Sequence, residues 1–123
     1  MTDQKTALRA TLTGASSVTA LVPATRIYAG WPTSFSTLPV IAYEESANLV
    51  GDEDIFDDVP KSETSEMTIH IFCAPNTSAT AIAMAVDTAL ASAKWNRDNA
   101  RDLIEQDTGI THKVMTYSKR VFY

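Results

Sequence analysis

The sequence predicts an α+β fold, with a mixed, mostly antiparallel sheet of four to five strands and two main helices packed on one face. Three observations predict it: apolar residues at helical spacing near the N-terminus, a long alanine-rich helical stretch later on, and segments in which apolar and polar residues alternate. A chain of 123 residues has the usual size of one domain and buries roughly two thirds of its unfolded surface. We therefore expect a single domain over residues 1–123.

The N-terminal segment has the pattern of an amphipathic helix. Leu8 and Leu12 stand at i and i+4 among alanines, which predicts a helix from Asp3 to about Gly14. The apolar residues of segment 18–22 follow at helical spacing and predict either a helix with a break or a second short helical turn. The helical stretch ends before Pro23, because the helical conformation is disfavoured for the residue before a proline.

The first strands follow a region rich in turn residues. Residues 26–28 predict a short extended piece, and residues 30–39 hold the Gly, Pro and Ser residues of an irregular connection. The run from Leu38 to Leu49 predicts a strand, because it is rich in β-formers. Its start presents two pairs of side chains to opposite faces, Ile41 with Tyr43 and Val40 with Ala42.

A half-buried strand and the strongest helix come next. The segment from Glu63 to Cys73 alternates, with one face formed by Met67, Ile69, Ile71 and Cys73 and the other by Glu66, Thr68, His70 and Phe72. After a turn at Pro75-Asn76, the alanine-rich run from Ser78 to Lys94 predicts a helix, capped by Asn76, Thr77 or Ser78. Its apolar stripe consists of Ile82, Val86, Ala89, Leu90 and Ala93.

The C-terminal part favours a closing hairpin. Residues 95–107 fit either a strand or a turn of helix, and the pattern leaves both open. The turn residues Asp107-Thr108-Gly109 precede a β-rich finish. Antiparallel pairing across that turn is the simplest arrangement.

The charge is concentrated in one region. The chain carries −5, and residues 44–66 hold nine acids against Lys61, so this segment carries −8 while the rest sums to +3. The most acidic part of this segment, at about 50–61, shows no sustained periodicity of apolar residues, which predicts a projecting loop or hairpin tip. Ile55 and Phe56 stand among its acids Asp52, Glu53, Asp54, Asp57 and Asp58, and a solvated acidic loop has no local reason to carry them.

Several functional classes are disfavoured by composition. The net charge argues against a general affinity for nucleic acid phosphates. No apolar run reaches the roughly 18 residues of a membrane span, and the N-terminus does not resemble a signal peptide, so we expect a cytosolic product. One cysteine, Cys73, excludes an internal disulfide, and its place on an apolar strand face predicts a small buried hydrophobe.

Catalytic and metal signatures are weak. The window 52–63 places acids at positions 1, 3 and 12 of a calcium loop, but Phe56 replaces a ligand and Asp57 replaces the turn glycine, so no metal site is predicted. His70 and His112 each lie in a strand pattern without a second ligand at metal spacing, which favours a surface or pairing role. With no nucleophile motif and no glycine-rich loop, we expect neither catalysis nor a cofactor.

Basic residues near the C-terminus offer a counterpart to the acidic segment. Lys113, Lys119 and Arg120 are the candidates for a basic edge, either as ordinary solvated side chains or as the surface that meets the acidic edge of the next copy in a head-to-tail ring. The ring interpretation predicts self-association that weakens as salt is added.

The order of elements and several short strings resemble the small tail-completion, or tail-terminator, proteins of long-tailed bacteriophages and prophages. The strings are Leu21-Val22-Pro23, Arg26-Ile27-Tyr28 followed by Pro32, and Leu38-Pro39-Val40-Ile41-Ala42-Tyr43, and the alternating strand Met67 to Cys73, the helix Ser78 to Ala93 and the β-rich end continue the match. The resemblance covers nearly the whole chain. Its specificity lies in the order of these strings.

The resemblance implies a structural protein that closes the head-proximal end of the tail tube, usually as a ring of six copies, and presents a joint to the head connector. Its implied partners are other copies of itself, the tail tube protein and the head–tail connector protein, in the host cytoplasm and then in the virion tail or neck. DNA would pass through the lumen without specific binding, with the acidic segment facing it or the tube, and Ile55 and Phe56 would be docking anchors. Two alternatives remain: a head-side neck or stopper connector, and a small calcium-binding module.

Overall fold

The computed structural model describes residues 3–31, 37–50, 55–56, 59–60, 62–104 and 108–122. Its helices are α1 (Gln4–Gly14), α2 (Ser16–Thr19) and α3 (Thr80–Ser92), with a 3₁₀ turn at Ala24–Arg26. Its strands are β1 (Ile27–Ala29), β2 (Val40–Leu49), β3 (Ile55–Phe56), β4 (Val59–Pro60), β5 (Ser62–Cys73), β6 (Asn96–Ile104) and β7 (Thr111–Phe122).

Five strands form the main sheet, in the order β1-β2-β5-β7-β6. Only the pairing of β1 with β2 is parallel, and the pairs β2–β5, β5–β7 and β6–β7 are antiparallel. The short strands β3 and β4 pair with each other as a separate two-stranded unit. The sheet is therefore mixed and mostly antiparallel, as the sequence predicts.

One face of the sheet is covered by helices and carries the main core. We call it the helix-covered face. The odd-numbered residues of β5 from Met67 to Cys73 point to it and are 0–4% exposed. They pack against apolar residues of all three helices, notably Leu8, Val18 and Val86. Because α1 and α3 each present one apolar stripe, both lie flat on this face.

Helix starts illustrate local capping. Asp3 caps α1, since its Oδ1 accepts the backbone N–H of Thr6 at 3.2 Å. The hydrogen bonds from the Thr6 hydroxyl and N–H lower the pKa of the Asp3 carboxyl. Helix α3 begins later than predicted, and its cap position is Ala79, so the expected capping by residues 76–78 is wrong in position. The Ser78 hydroxyl still accepts the N–H of Thr80, at 3.2 Å.

The ambiguous C-terminal segment is resolved as a strand over Asn96–Ile104. Strand β6 pairs antiparallel with β7 along its length, with a bulge at Asp98, and forms one edge of the main sheet. The predicted closing hairpin is confirmed. Trp95, directly before β6, is 4% exposed and belongs to the helix-covered core, so it fixes the entry of the chain into the edge strand.

Candidate functional site

The second face of the sheet carries an aromatic and polar cluster. No helix in the described residues packs on this face, which we call the helix-free face. Register places His70 and Phe72 of β5 beside Val114 and His112 of β7, all pointing to this side. Trp31 lies over them, with ring centroids 4.9 Å from His70 and 5.5 Å from Phe72, and remains 58% exposed.

The two histidines and a glutamate form a chain of polar contacts. His70 Nδ1 lies 2.9 Å from His112 Nε2, and His70 Nε2 lies 3.3 Å from Glu44 Oε1. An ionised carboxylate only accepts, so a neutral His70 donates to Glu44 through Nε2 and accepts through Nδ1, and His112 Nε2 is then the donor between the rings. The sequence predicts a surface or pairing role for these residues, and the structure pairs them.

Phe72 shows what holds this cluster in place. It stacks on His112 at a centroid distance of 4.3 Å and is itself 2% exposed. Val40, Ala42 and Ile110 complete a small apolar patch around it. The face therefore combines a packed aromatic base with the exposed indole of Trp31.

The acidic segment is described only in part. Ile55 and Phe56 form β3, which pairs with β4 in the register Ile55↔Pro60 and Phe56↔Val59. The acids predicted to face a lumen or tube, Asp52, Glu53, Asp54, Asp57 and Asp58, lie outside the described residues. The pairing of β3 with β4 lies within the segment for which the sequence predicts a projecting loop or hairpin tip, and that prediction stays a prediction.

The basic candidates do not form one patch. Lys113 Nζ binds Asp102 Oδ1 at 3.1 Å, and Lys119 Nζ lies 5.7 Å from the centroid of the Trp95 ring on the helix-covered face. Arg120, on the helix-free face, donates from Nε to the Ser62 hydroxyl at 3.2 Å. Their role in an interface between copies stays a prediction.

A groove of about 510 Å³ separates α3 from the edge strand β6. The wall residue Asp87 accepts a hydrogen bond at Oδ1 from the hydroxyl of Tyr117 at 2.8 Å, and Arg97 Nη1 lies 3.6 Å from Asp87 Oδ2. Burial, followed by the hydrogen bond to Asp87, raises the pKa of the Tyr117 phenol well above its ordinary value. The tyrosine therefore stays a neutral donor, and this polar wall ties the helix to the sheet edge.

A second groove, of about 400 Å³, lies at the opposite end of the sheet from the hairpin. We call it the end groove; its walls include Leu21, Leu38, Cys73, Ala81 and Ile82. Burial raises the pKa of the Cys73 thiol, in keeping with its predicted place as a small buried hydrophobe.

The described ranges contain neither a cluster of metal ligands nor a membrane-spanning helix. Within the described ranges, no three His, Cys, Asp or Glu side chains converge as metal ligands. Among the helices of those ranges, none combines the length and apolarity needed to cross a bilayer. Most of the calcium-loop window lies outside the described residues.

Sequence reasoning did not find the cluster under Trp31 or the two grooves. The cluster depends on the register of β2, β5 and β7, which no local pattern encodes. One signal was present: Phe72 stands on the polar face of an otherwise regular alternation, where a large ring requires a covering partner. The grooves have no signal of this kind.

Comparison with solved structures supports the fold. One chain from a structure described as the virion of a native gene transfer agent particle superposes with a TM-score of 0.68 at 14% sequence identity. The superposition covers 94% of this chain and 92% of that chain. Among curated proteins, no sequence matches.

Comparison with family models identifies the family to which the chain belongs. The model described as tail completion protein gp17 matches residues 6–121, and the match spans the three helices except the first two residues of α1, and every strand of the main sheet except the last residue of β7. The predicted order of a helix, paired strands, an alanine-rich helix and a closing hairpin is the order found in the fold. This chain belongs to the tail completion protein gp17 family, a family of structural phage tail proteins.

Proposed function

We propose that this chain closes the head-proximal end of a phage tail tube as a ring of six copies and forms the joint to the head connector. The observation that carries the proposal is the family match over residues 6–121. The role is structural, with no catalysis and no cofactor. Assembly takes place in the host cytoplasm, and the finished ring stays in the virion tail or neck.

The division of the sheet into two faces supports an assembly role. The helix-covered face holds the main core, so the fold does not require a large exposed ring on the other face. Trp31 nevertheless stands 58% exposed over a packed base of His70 and Phe72. Tryptophans seated in this way are typical anchors of protein interfaces.

The acidic segment supports a ring through which DNA passes. Residues 44–66 carry −8, and like charge repels the phosphate backbone and prevents sticking. In this proposal Asp52, Glu53, Asp54, Asp57 and Asp58 face the lumen or the tube. Ile55 and Phe56 dock on a partner, and Lys113, Lys119 and Arg120 lie toward the interface between copies.

Native mass spectrometry across a concentration series at low salt tests ring formation. We expect a hexamer to appear as concentration rises and to weaken at high salt, because complementary charges are screened. A chain that stays monomeric at every concentration, and that also fails to bind purified tail tubes, contradicts the proposal. Binding to the portal side in place of tubes identifies a head-side neck or stopper protein.

A double substitution tests the anchors. Ile55→Ser with Phe56→Ser is expected to abolish tail completion in an infection assay, since it removes both apolar groups from β3. Leu49→Ser with Val50→Ser is the matched control, which replaces two adjacent exposed apolar residues at the end of β2 and keeps the anchors. Intact tail completion by the first variant overturns the anchor role.

A calcium titration tests the calcium-binding alternative, and no shift in Tm on adding calcium rules that alternative out.

A further inference from the structure

The end groove is an apolar surface that the chain leaves open. Its lining contains no charged side chain, and Leu21, on its rim, is 41% exposed. The groove lies between the helical layer and the beginning of β2, where α3 and the end of β5 also contribute to its walls. An apolar concavity of about 400 Å³ has room for one or two large apolar side chains.

The surroundings of the end groove complement an acidic partner. Its wall residues fall within the segments 21–39 and 73–82, whose sequence contains a single charged residue, Arg26. Its Nη1 donates to the carbonyl oxygen of Leu38, a wall residue, at 3.2 Å. The groove is thus apolar inside and bordered by a cation with no acid nearby in sequence.

The β3–β4 hairpin has the matching chemistry. It carries Ile55 and Phe56 next to each other, flanked by five acids between positions 52 and 58. Two apolar groups surrounded by negative charge fit an apolar groove bordered by a positive charge, since the anchors gain from burial and the acids gain from the arginine.

The hairpin cannot reach the groove of its own chain. Strand β5 runs from Ser62 beside the hairpin to Cys73 in the groove wall, which separates them by about 36 Å. Ile55 pairs with Pro60, two residues before Ser62, so it stays within about 12 Å of Ser62. A gap of about 20 Å or more remains, and only the groove of another molecule can receive these residues.

We propose that the end groove binds the Ile55–Phe56 strand of a second copy of this chain. A groove at one end of a sheet and its ligand at the other end make a head-to-tail contact, which closes into a ring when the rotation per copy divides a full turn. This inference rests on the proposed ring function and assigns the surface that links neighbouring copies.

Cross-linking tests the contact directly. In a Cys73→Ala background, Asp57→Cys places a thiol beside the anchors without removing them, and Leu21→Cys places one on the groove rim. With a short bifunctional maleimide, we expect a ladder of covalent oligomers at least tenfold stronger than in the control that pairs Asp57→Cys with Ala91→Cys. Ala91 is exposed on the same helix as the groove residue Ala81 and lies outside the groove lining.

Filling the groove tests its importance for assembly. Ala81→Trp occupies the groove from the exposed side of α3, and Ala91→Trp is the matched control on that helix. We expect Ala81→Trp to raise the concentration for half-assembly at least tenfold, with equal Tm values in the two variants.

The possible outcomes distinguish failure of the groove assignment from failure of the ring proposal. If the unmodified chain forms rings but the cross-link equals its control, or Ala81→Trp assembles like Ala91→Trp, the groove assignment is overturned and the ring remains. If no ring forms at any concentration or on tail tubes and no cross-link appears, both are overturned. A cross-link to the tail tube protein in place of a second copy overturns the assigned occupant.

Discussion

Strand β5 allows the two faces of the sheet to be compared within one element. Ile69 and Ile71 point to the helix-covered face and are 0% exposed, whereas Thr68 and His70 point to the other face and are partly exposed. The first face is held by apolar packing against three helices. The second is held by ring contacts and directed hydrogen bonds, which a fold with a complete core does not require.

The two faces differ in what their side chains contribute to the fold. Apolar packing on the helix-covered face explains the stability of the fold and gives no reason for Trp31 or the histidine pair. Side chains that the core leaves unexplained are the ones available for assembly.

The largest expected effect is the difference in unfolding free energy lost when a side chain is removed from one face or from the other. Ile69→Ala removes a fully buried side chain from the helix-covered core and is expected to lower the free energy of unfolding by about 3 kcal/mol. Thr68→Ala, on the neighbouring residue and opposite face, is expected to cost less than about 1 kcal/mol. Urea unfolding followed by circular dichroism measures both. Equal costs would mean that the two faces contribute alike.

A smaller effect is expected where the helix-free face meets solvent. Trp31→Ala removes the ring that lies over His70 and Phe72, and because Trp31 is 58% exposed, we expect a loss of about 1 kcal/mol. Met84→Ala, at a residue 65% exposed on α3, is the control and should cost about 0.5 kcal/mol or less. Chemical unfolding checks both values. A loss of about 3 kcal/mol or more for Trp31→Ala would place this tryptophan in the core of the fold.

The parts of the fold that the sequence predicts are those encoded by local patterns, and the parts that it leaves open depend on non-local pairing. The alternation from Met67 to Cys73 and the stripe of α3 are local patterns, and both correctly identified the helix-covered face. Strand β6 was left open because its residues 96–103 are all exposed, so no alternation exists to be read. It is a strand because it pairs with β7, and such pairing is non-local.

The candidate surfaces divide in a similar way. The acidic segment with Ile55 and Phe56 was predicted as a candidate surface from charge, because composition is local, and that role stays a prediction. The partners of Trp31 were not, since Gly30 and the turn residues after it give no indication of which strand the ring will cover. The end groove was missed because its walls come from distant parts of the chain, including Leu38, Cys73 and Ala81.

The smallest effect concerns the hydrogen-bond chain of the helix-free face. Glu44 is the outer acceptor of this chain, and its carboxylate is 46% exposed, so Glu44→Gln is expected to change stability by about 0.5 kcal/mol or less. Its consequence for the histidine ring is larger. A carboxylate can only accept and therefore fixes the Nε2–H tautomer of His70, whereas a glutamine amide can turn and donate.

Long-range nitrogen–proton correlation at alkaline pH reads the tautomer directly, because the rings are then neutral. We expect His70 protonated at Nε2 in the unmodified chain and a mixture of tautomers in Glu44→Gln. Glu66→Gln, on the same face of β5, is the control and should leave the tautomer unchanged. His70 protonated at Nδ1 in the unmodified chain would reverse the direction of the bond to His112. The hydrogen bond from Nε2 to Glu44 would then be absent, since that nitrogen would carry no proton, whereas the bond between the two rings would remain.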